Sequence, residues 1–276
     1  MLKKLLYYDY LSVRRYLLPL LALTPAFSFV VGMIGYLSSR VENVVIQFSL
    51  STLYVFAMIA LVLSVALLPV LLVVRYWSGL YGDSGYLTLL LPVSRKKILF
   101  SKVLSSILMM LVYLVVAFFS IGFAYGASLT YVMGHGPFYA YTITFESIKS
   151  LFATVPGGVP AYMIVEFVIY LIFLLSFVFN LFYTGVTLGA AIFQGKARIG
   201  GAVLFCFISY MIWSAIKTIV EGLLLGGTIL IFSVDAMMSA ETFRFFLIVE
   251  AVLYAGFSVG LFFFNAKMID KKLNLT

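Results

Sequence analysis

The chain has 276 residues, of which 64% are hydrophobic and only 10% charged, against the roughly 25% of a soluble domain. That excludes a soluble globular protein and leaves an integral membrane protein, long enough for a bundle of spans but too short for a bundle plus a large soluble domain. The net charge of +8 is no nucleic-acid footprint, because the basic residues sit in the breaks between apolar runs, where they report membrane topology.

Residues 1–16 precede the first apolar run. On a helical wheel Leu2, Leu5, Leu6, Val13 and Tyr16 share one side, with Lys3, Lys4, Arg14 and Arg15 on the flanks and opposite side. This pattern predicts an interfacial amphipathic helix turned toward anionic headgroups, or a simple topology anchor. Asp9 projects from the middle of the apolar side, where an unpaired carboxylate is costly to desolvate. A cation is therefore expected beside it, with Arg75 and Arg95 as the candidates.

Six runs reach the roughly 20 residues that cross a bilayer. They are Leu17 to Leu37, Leu53 to Val74, Val103 to Tyr125, Ala161 to Phe193, Ile199 to Val220 and Phe245 to Asn265. The first is long and has no small-residue cleavage site, so it reads as a span and not a signal peptide. Between the second and third runs lies segment 75–102, with Arg75, Arg95, Lys96, Lys97 and Lys102. Such a basic loop belongs in the cytoplasm. Within it, Gly82 to Leu91 reads as a turn followed by a short apolar segment that Pro92 ends. Segment 126–160 is an outer loop in which His135 is a loop residue, and Thr144 to Phe152 is expected as a short surface helix beside a Glu146/Lys149 pair. The fourth run contains Asn180, Gly185 and Gly189 and is free to tilt or kink. Cys206, the one cysteine, reads as a small buried residue; with one histidine there is no zinc constellation. Segment 221–243 is apolar but interrupted by Gly222, Gly226, Gly227 and Asp235. It is expected as a re-entrant or interfacial hairpin, which survives at membrane depth only when protein covers it.

With both termini cytoplasmic, the cytoplasmic segments hold all of the 18 basic residues except Arg40, Lys149, Lys217 and Arg244. This asymmetry selects six spans in that orientation.

Three clusters carry a family resemblance: Arg14-Arg15-Tyr16 at the end of the first helix; Gly82-Asp83-Ser84-Gly85-Tyr86-Leu87, Leu91-Pro92-Val93-Ser94-Arg95 and Ser101-Lys102 in the first cytoplasmic loop; and Gln194-Gly195-Lys196-Ala197-Arg198 in a later turn. Together they resemble the type-2 permease subunits of bacterial ATP-binding-cassette exporters. The resemblance implies an all-α fold of six transmembrane helices per subunit in the plasma membrane, two permease chains, identical or homologous, and two separate ATPase subunits that bind ATP and Mg. It also implies that the first loop carries a coupling helix that moves with the ATPase, and that the first span, kinkable at Pro19 and Pro25, and the fifth line the subunit interface. Tyr86, Leu87 and Leu90 are then expected as apolar contacts to the ATPase, with Asp83 placed to cap the helix. The chain itself has no phosphate-binding loop: Gly195-Lys196 is followed by Ala197, with no glycine at the required position upstream.

Charges inside spans are functional candidates. Glu166, Lys217, Glu221 and Glu250 all fall in the outer half of the bilayer, and Lys217 and Glu221 are spaced i, i+4. They either brace helices or line the outer part of an exit path. Asn180 reads as an interhelical hydrogen bond. The leading function is export of a hydrophobic or amphipathic cargo, with peptide the first choice and lipid or drug the others. The alternative is a secondary transporter driven by an ion gradient, which needs coupling-ion sites near the midplane. No such site and no half-to-half similarity is evident. An intramembrane enzyme would need a catalytic constellation that the sequence lacks.

Overall fold

The structure, a computed structural model, describes residues 2–82, 93–133, 142, 161–193, 197–231 and 240–273. Among these the chain is all-helical: α1 (Leu2–Arg40), α2 (Val44–Tyr81), α3 (Arg95–Met133), α4 (Ala161–Ile192), α5 (Ala197–Ile231) and α6 (Ala240–Leu273). Each contains a stretch long and apolar enough to cross a membrane, so the chain is a multi-pass membrane protein with six candidate spans.

Five of the six helices outrun the apolar runs that mark them; α4 does not. At about 1.5 Å per residue, the 39 residues of α1 extend to about 58 Å, well beyond the roughly 30 Å of a hydrocarbon core. Residues 1–16 were expected to form a separate helix, but α1 is continuous from Leu2 through the first span. Residues 126–133, expected in a loop, are the last turns of α3. Of segment 75–102, residues 75–81 belong to α2 and 95–102 to α3. The first part of segment 221–243 is also helical, as α5 runs on through three glycines to Ile231. Hydropathy marks the slab a helix crosses, whereas the helix ends only where caps or breakers end it. At the start of α2 the Asn43 carboxamide oxygen accepts from the Val45 and Ile46 backbone N–H groups (3.1 and 3.4 Å), an N-cap. The Ser94 carbonyl accepts from the Lys97 and Ile98 N–H groups at the start of α3 (2.9 and 3.3 Å).

The chain divides into two compact units: Met1–Tyr7, Val73–Ile107 and Phe152–Thr276 form one, and Tyr8–Leu72 with Leu108–Leu151 the other. In the second unit Val31, Leu61 and Ala124 make a buried core from α1, α2 and α3. Pro19 and Pro25 lie inside α1 and Pro69 inside α2, each lacking an N–H donor. Hydroxyls join these helices. Thr24 Oγ1 lies 2.8 Å from the Leu20 carbonyl and 2.9 Å from Tyr113 Oη, which in turn lies 3.2 Å from the Ser64 carbonyl. The Ser28 hydroxyl donates to the Ser120 carbonyl.

In the first unit α4 packs on both α5 and α6. The α4–α5 approach is close because glycine stands on the seam. A Cβ at Gly185 would lie 2.2 Å from Cys206 Sγ, and one at Gly189 would lie 2.3 Å from the Ala202 backbone nitrogen. Gly256 on α6 has open space around it. Replacing Gly189 by Val therefore forces two backbones apart, at a cost of roughly 1–3 kcal/mol or more. It is expected to lower the thermal midpoint of the purified chain in detergent, whereas Gly256→Ala is expected to hold or raise it. Equal midpoints for the two variants would contradict this packing.

Candidate functional site

The polar chemistry of the first unit collects at the two ends of the α4–α6 pair and in a ladder between them. At the end where α4 and α6 begin, Arg244 faces Glu166. Its Nε lies 3.0 and 2.9 Å from the two carboxylate oxygens and its Nη2 2.7 Å from Oε1, a fork geometry suited to guanidinium. The same guanidinium lies over the Tyr162 ring, 4.8 Å from its centroid. Further along, Lys217 Nζ of α5 lies 3.1 Å from Glu250 Oε1 of α6 and donates to Tyr254 Oη at 3.3 Å. The other oxygen, Glu250 Oε2, accepts from Tyr170 Oη of α4 at 2.8 Å. One carboxylate thus ties α4, α5 and α6 together. Behind it Phe177, Leu181, Trp213 and Tyr254 form a buried core.

Towards the middle of the pair, Ser176 and Ser258 hydroxyls lie 2.6 Å apart, and Asn180 Nδ2 donates to Ser258 Oγ at 3.0 Å and to the Ser176 carbonyl at 2.9 Å. Asn180 thereby makes the interhelical hydrogen bond expected of it. Asn265 Nδ2 reaches the Asn180 carbonyl at 3.3 Å. The carboxamide oxygens of Asn180 and Asn265 are buried without a hydrogen-bond partner.

At the opposite end, Arg95 of α3 donates through Nη1 to the carbonyls of Ile269 (3.3 Å) and Asp270 (2.9 Å), with the Asp270 carboxylate at 3.5 Å. These carbonyls belong to the last turn of α6, where intrahelical donors run out and a cation is favoured. Beside them Tyr76 of α2 stacks on Tyr183 of α4, with centroids 3.8 Å apart and planes 7° from parallel. Tyr76 Oη lies 3.1 Å from Thr187 Oγ1, and Tyr183 Oη lies 2.6 Å from Ser106 Oγ of α3.

Of the residues singled out from sequence, the structure joins Lys217 to Glu250 and gives Glu166 a partner, Arg244, that the sequence reading had noted only for its side of the membrane. Tyr170, Tyr254 and Asp270 were missed altogether. The first two lie within apolar runs that hydropathy absorbs; Asp270 lies just past the sixth run. The expected Lys217/Glu221 pair lies outside the described side chains. Asp9 is half-buried on α1 in the second unit, while Arg75 is half-buried on α2 in the first. Gly82 follows the end of α2, its N–H donating to the Trp77 carbonyl at 3.2 Å. Asp83, Ser84, Gly85, Tyr86, Leu87, Leu90 and Pro92 lie outside the described residues, as do His135, Glu146, Lys149, residues 194–196 and Asp235. Cys206, expected to be buried, is half-buried, its Sγ 3.6 Å from the Phe182 carbonyl.

Compared with protein-family models, curated proteins and solved structures, the chain matches none of them. Among the described residues of the first unit, three ion pairs join different helices: Arg244–Glu166, Lys217–Glu250 and Arg95–Asp270. Among the described residues, no three His, Cys, Asp or Glu side chains gather as metal ligands do.

The Lys217–Glu250 pair is about three-quarters buried, with 29% and 25% of the two side chains exposed. Removing one partner of a fully buried pair costs roughly 3–5 kcal/mol, and replacing both costs far less. Lys217→Met and Glu250→Leu are each expected to lower the thermal midpoint of the detergent-solubilised chain, and the double variant to recover most of the loss. If the double variant loses the sum of the two single losses, the pair is not coupled.

Proposed function

We propose that this chain is the permease subunit of an ATP-driven exporter in a bacterial plasma membrane. In this reading two such chains, identical or homologous, stand on two ATPase subunits that bind ATP and Mg. Both termini are cytoplasmic. The start of α1 lies along the inner interface, segment 83–92 holds the coupling helix, and the chain passes from α5 to α6 on the outer side. The cargo is hydrophobic or amphipathic, a peptide before a drug or a lipid.

The observation that carries the proposal is how the stems of segment 83–92 are fastened. The stem at the end of α2 is held on α4 by the Tyr76 stack and the Tyr76–Thr187 contact. The stem at the start of α3 is held on α4 by Ser106 and Tyr183, and on α6 by Arg95. A push on the loop would therefore be passed to α4 and α6 through buried aromatic and charge-assisted contacts, not lost in a flexible connection. That is the mechanical requirement of a loop that receives work from another subunit. Glu166, Lys217, Glu221 and Glu250 stand in the outer half, as the brace or the lining of the exit path.

The test uses the chain copurified with the ATPase encoded beside it. Replacing Tyr86 and Leu87 together by Glu is expected to abolish cargo-stimulated ATP hydrolysis while the chain still inserts in the membrane. Arg95→Ala is expected to weaken the stimulation without preventing association. A Tyr86/Leu87 double variant that retains both association and normal transport would overturn the coupling assignment.

A further inference from the structure

Between α4 and α5 lies a half-open cavity of about 400 Å³. Phe177, Val178, Cys206, Tyr210, Trp213 and Tyr254 are among the residues that line it. Trp213 is only 8% exposed, whereas Phe207 and Tyr210 beside it on α5 are 60% and 57% exposed. The lining is almost wholly apolar. On α5 the groove follows Cys206, Tyr210 and Trp213, and the next residue on that stripe, at i+4 spacing, is Lys217. The groove therefore ends, about one helical turn past Trp213, at the Lys217–Glu250–Tyr170 cluster, with the Arg244–Glu166 pair beyond it on α4 and α6.

We propose that this groove holds one acyl chain of a bilayer phospholipid. It lies in α4 and α5 segments that meet the requirements of a membrane span, so hydrocarbon is the medium that meets its open side. Apolar walls give water nothing to bond, and an unfilled groove would forfeit dispersion contact along its length. The ionic end supplies the direction. Lys217 and Arg244, each paired with a carboxylate and each near a tyrosine ring, form a polar rim such as a headgroup needs, and the chain runs from there along Trp213 towards Cys206. The inference requires only that α4 and α5 span a membrane, and it stands or falls independently of the ATPase.

Two native reporters line the groove. Trp213 is one of two tryptophans, and Cys206 is the single cysteine. In a full-length Trp77→Phe chain reconstituted into phosphatidylcholine bilayers with brominated acyl chains, Trp213 emission is expected to fall at least about twofold relative to unbrominated lipid, because bromine quenches indole only at short range. Val178→Phe, which fills the groove, is expected to remove most of that quenching. In the unaltered chain, stripped of lipid in detergent, N-ethylmaleimide is expected to modify Cys206 faster than after phosphatidylcholine is added back. Unquenched Trp213 overturns the proposal, as does quenching that survives Val178→Phe in a folded chain. Cys206 modification at a rate indifferent to lipid also overturns it. Disulfide or cross-link formation between Cys206 residues of two chains would assign the groove to a second copy instead.

Discussion

Hydrocarbon offers no partner for a polar group, so the polar groups within these helices depend on the protein itself for hydrogen bonds. The rest of the structure follows from that constraint. The helices are long because a helix is the one segment that satisfies its own backbone there. The side chains left over pair across helices: Thr24 with Tyr113, Ser176 and Asn180 with Ser258, Tyr183 with Ser106, Lys217 with Glu250. Because lipid tails are as apolar as leucine, burial alone gives helices little reason to associate. Close backbone approach, made possible on α4 by Gly185 and Gly189, and these cross-helix contacts supply the attraction.

The contacts are not interchangeable. The ladder of Ser176, Asn180, Ser258 and Asn265 is neutral and deep, and fixes the register of α4 against α6. The ionic contacts lie towards the ends. Arg244 grips Glu166 and Lys217 grips Glu250 at one end, and Arg95 closes the carbonyls of α6 at the other. A bundle held this way can transmit displacement from end to end, since α4 and α6 are joined at both ends and along the middle. That rigidity makes sense of a loop whose two stems are tied into the pair.

Much of the fold was legible in the sequence, because hydropathy and length report the bilayer directly. Five of the six apolar runs lie wholly within helices, and the fourth, Ala161 to Phe193, matches α4 to within a residue. The helix ends were not legible. Residues 44–52 and 126–133 mix apolar residues with Ser, Thr, Gln or Gly and so fell outside the continuous apolar runs, and the end of α2 nearest Asn43 is set by a cap that hydropathy ignores. The charged residues of the site were visible as anomalies in apolar runs, but their partners were not. Spacing along one helix suggested Lys217 with Glu221, but it could not suggest Glu250, which meets Lys217 from another helix, because a single sequence carries no record of tertiary proximity. Tyr170 and Tyr254 escaped notice for the opposite reason: a tyrosine in a span rich in aromatics does not stand out, although its hydroxyl must find a partner.

In the proposed function, the energy for transport enters through another chain. The most direct measurement of this is the composition and ATP turnover of the complex isolated through an affinity tag on this chain from its native membranes. The account predicts a nucleotide-hydrolysing partner in equal number to the permease chains, with ATP turnover that rises when a hydrophobic peptide is added. A chain that purifies alone and, reconstituted in vesicles, moves such a cargo in response to an imposed ion gradient without ATP would contradict it.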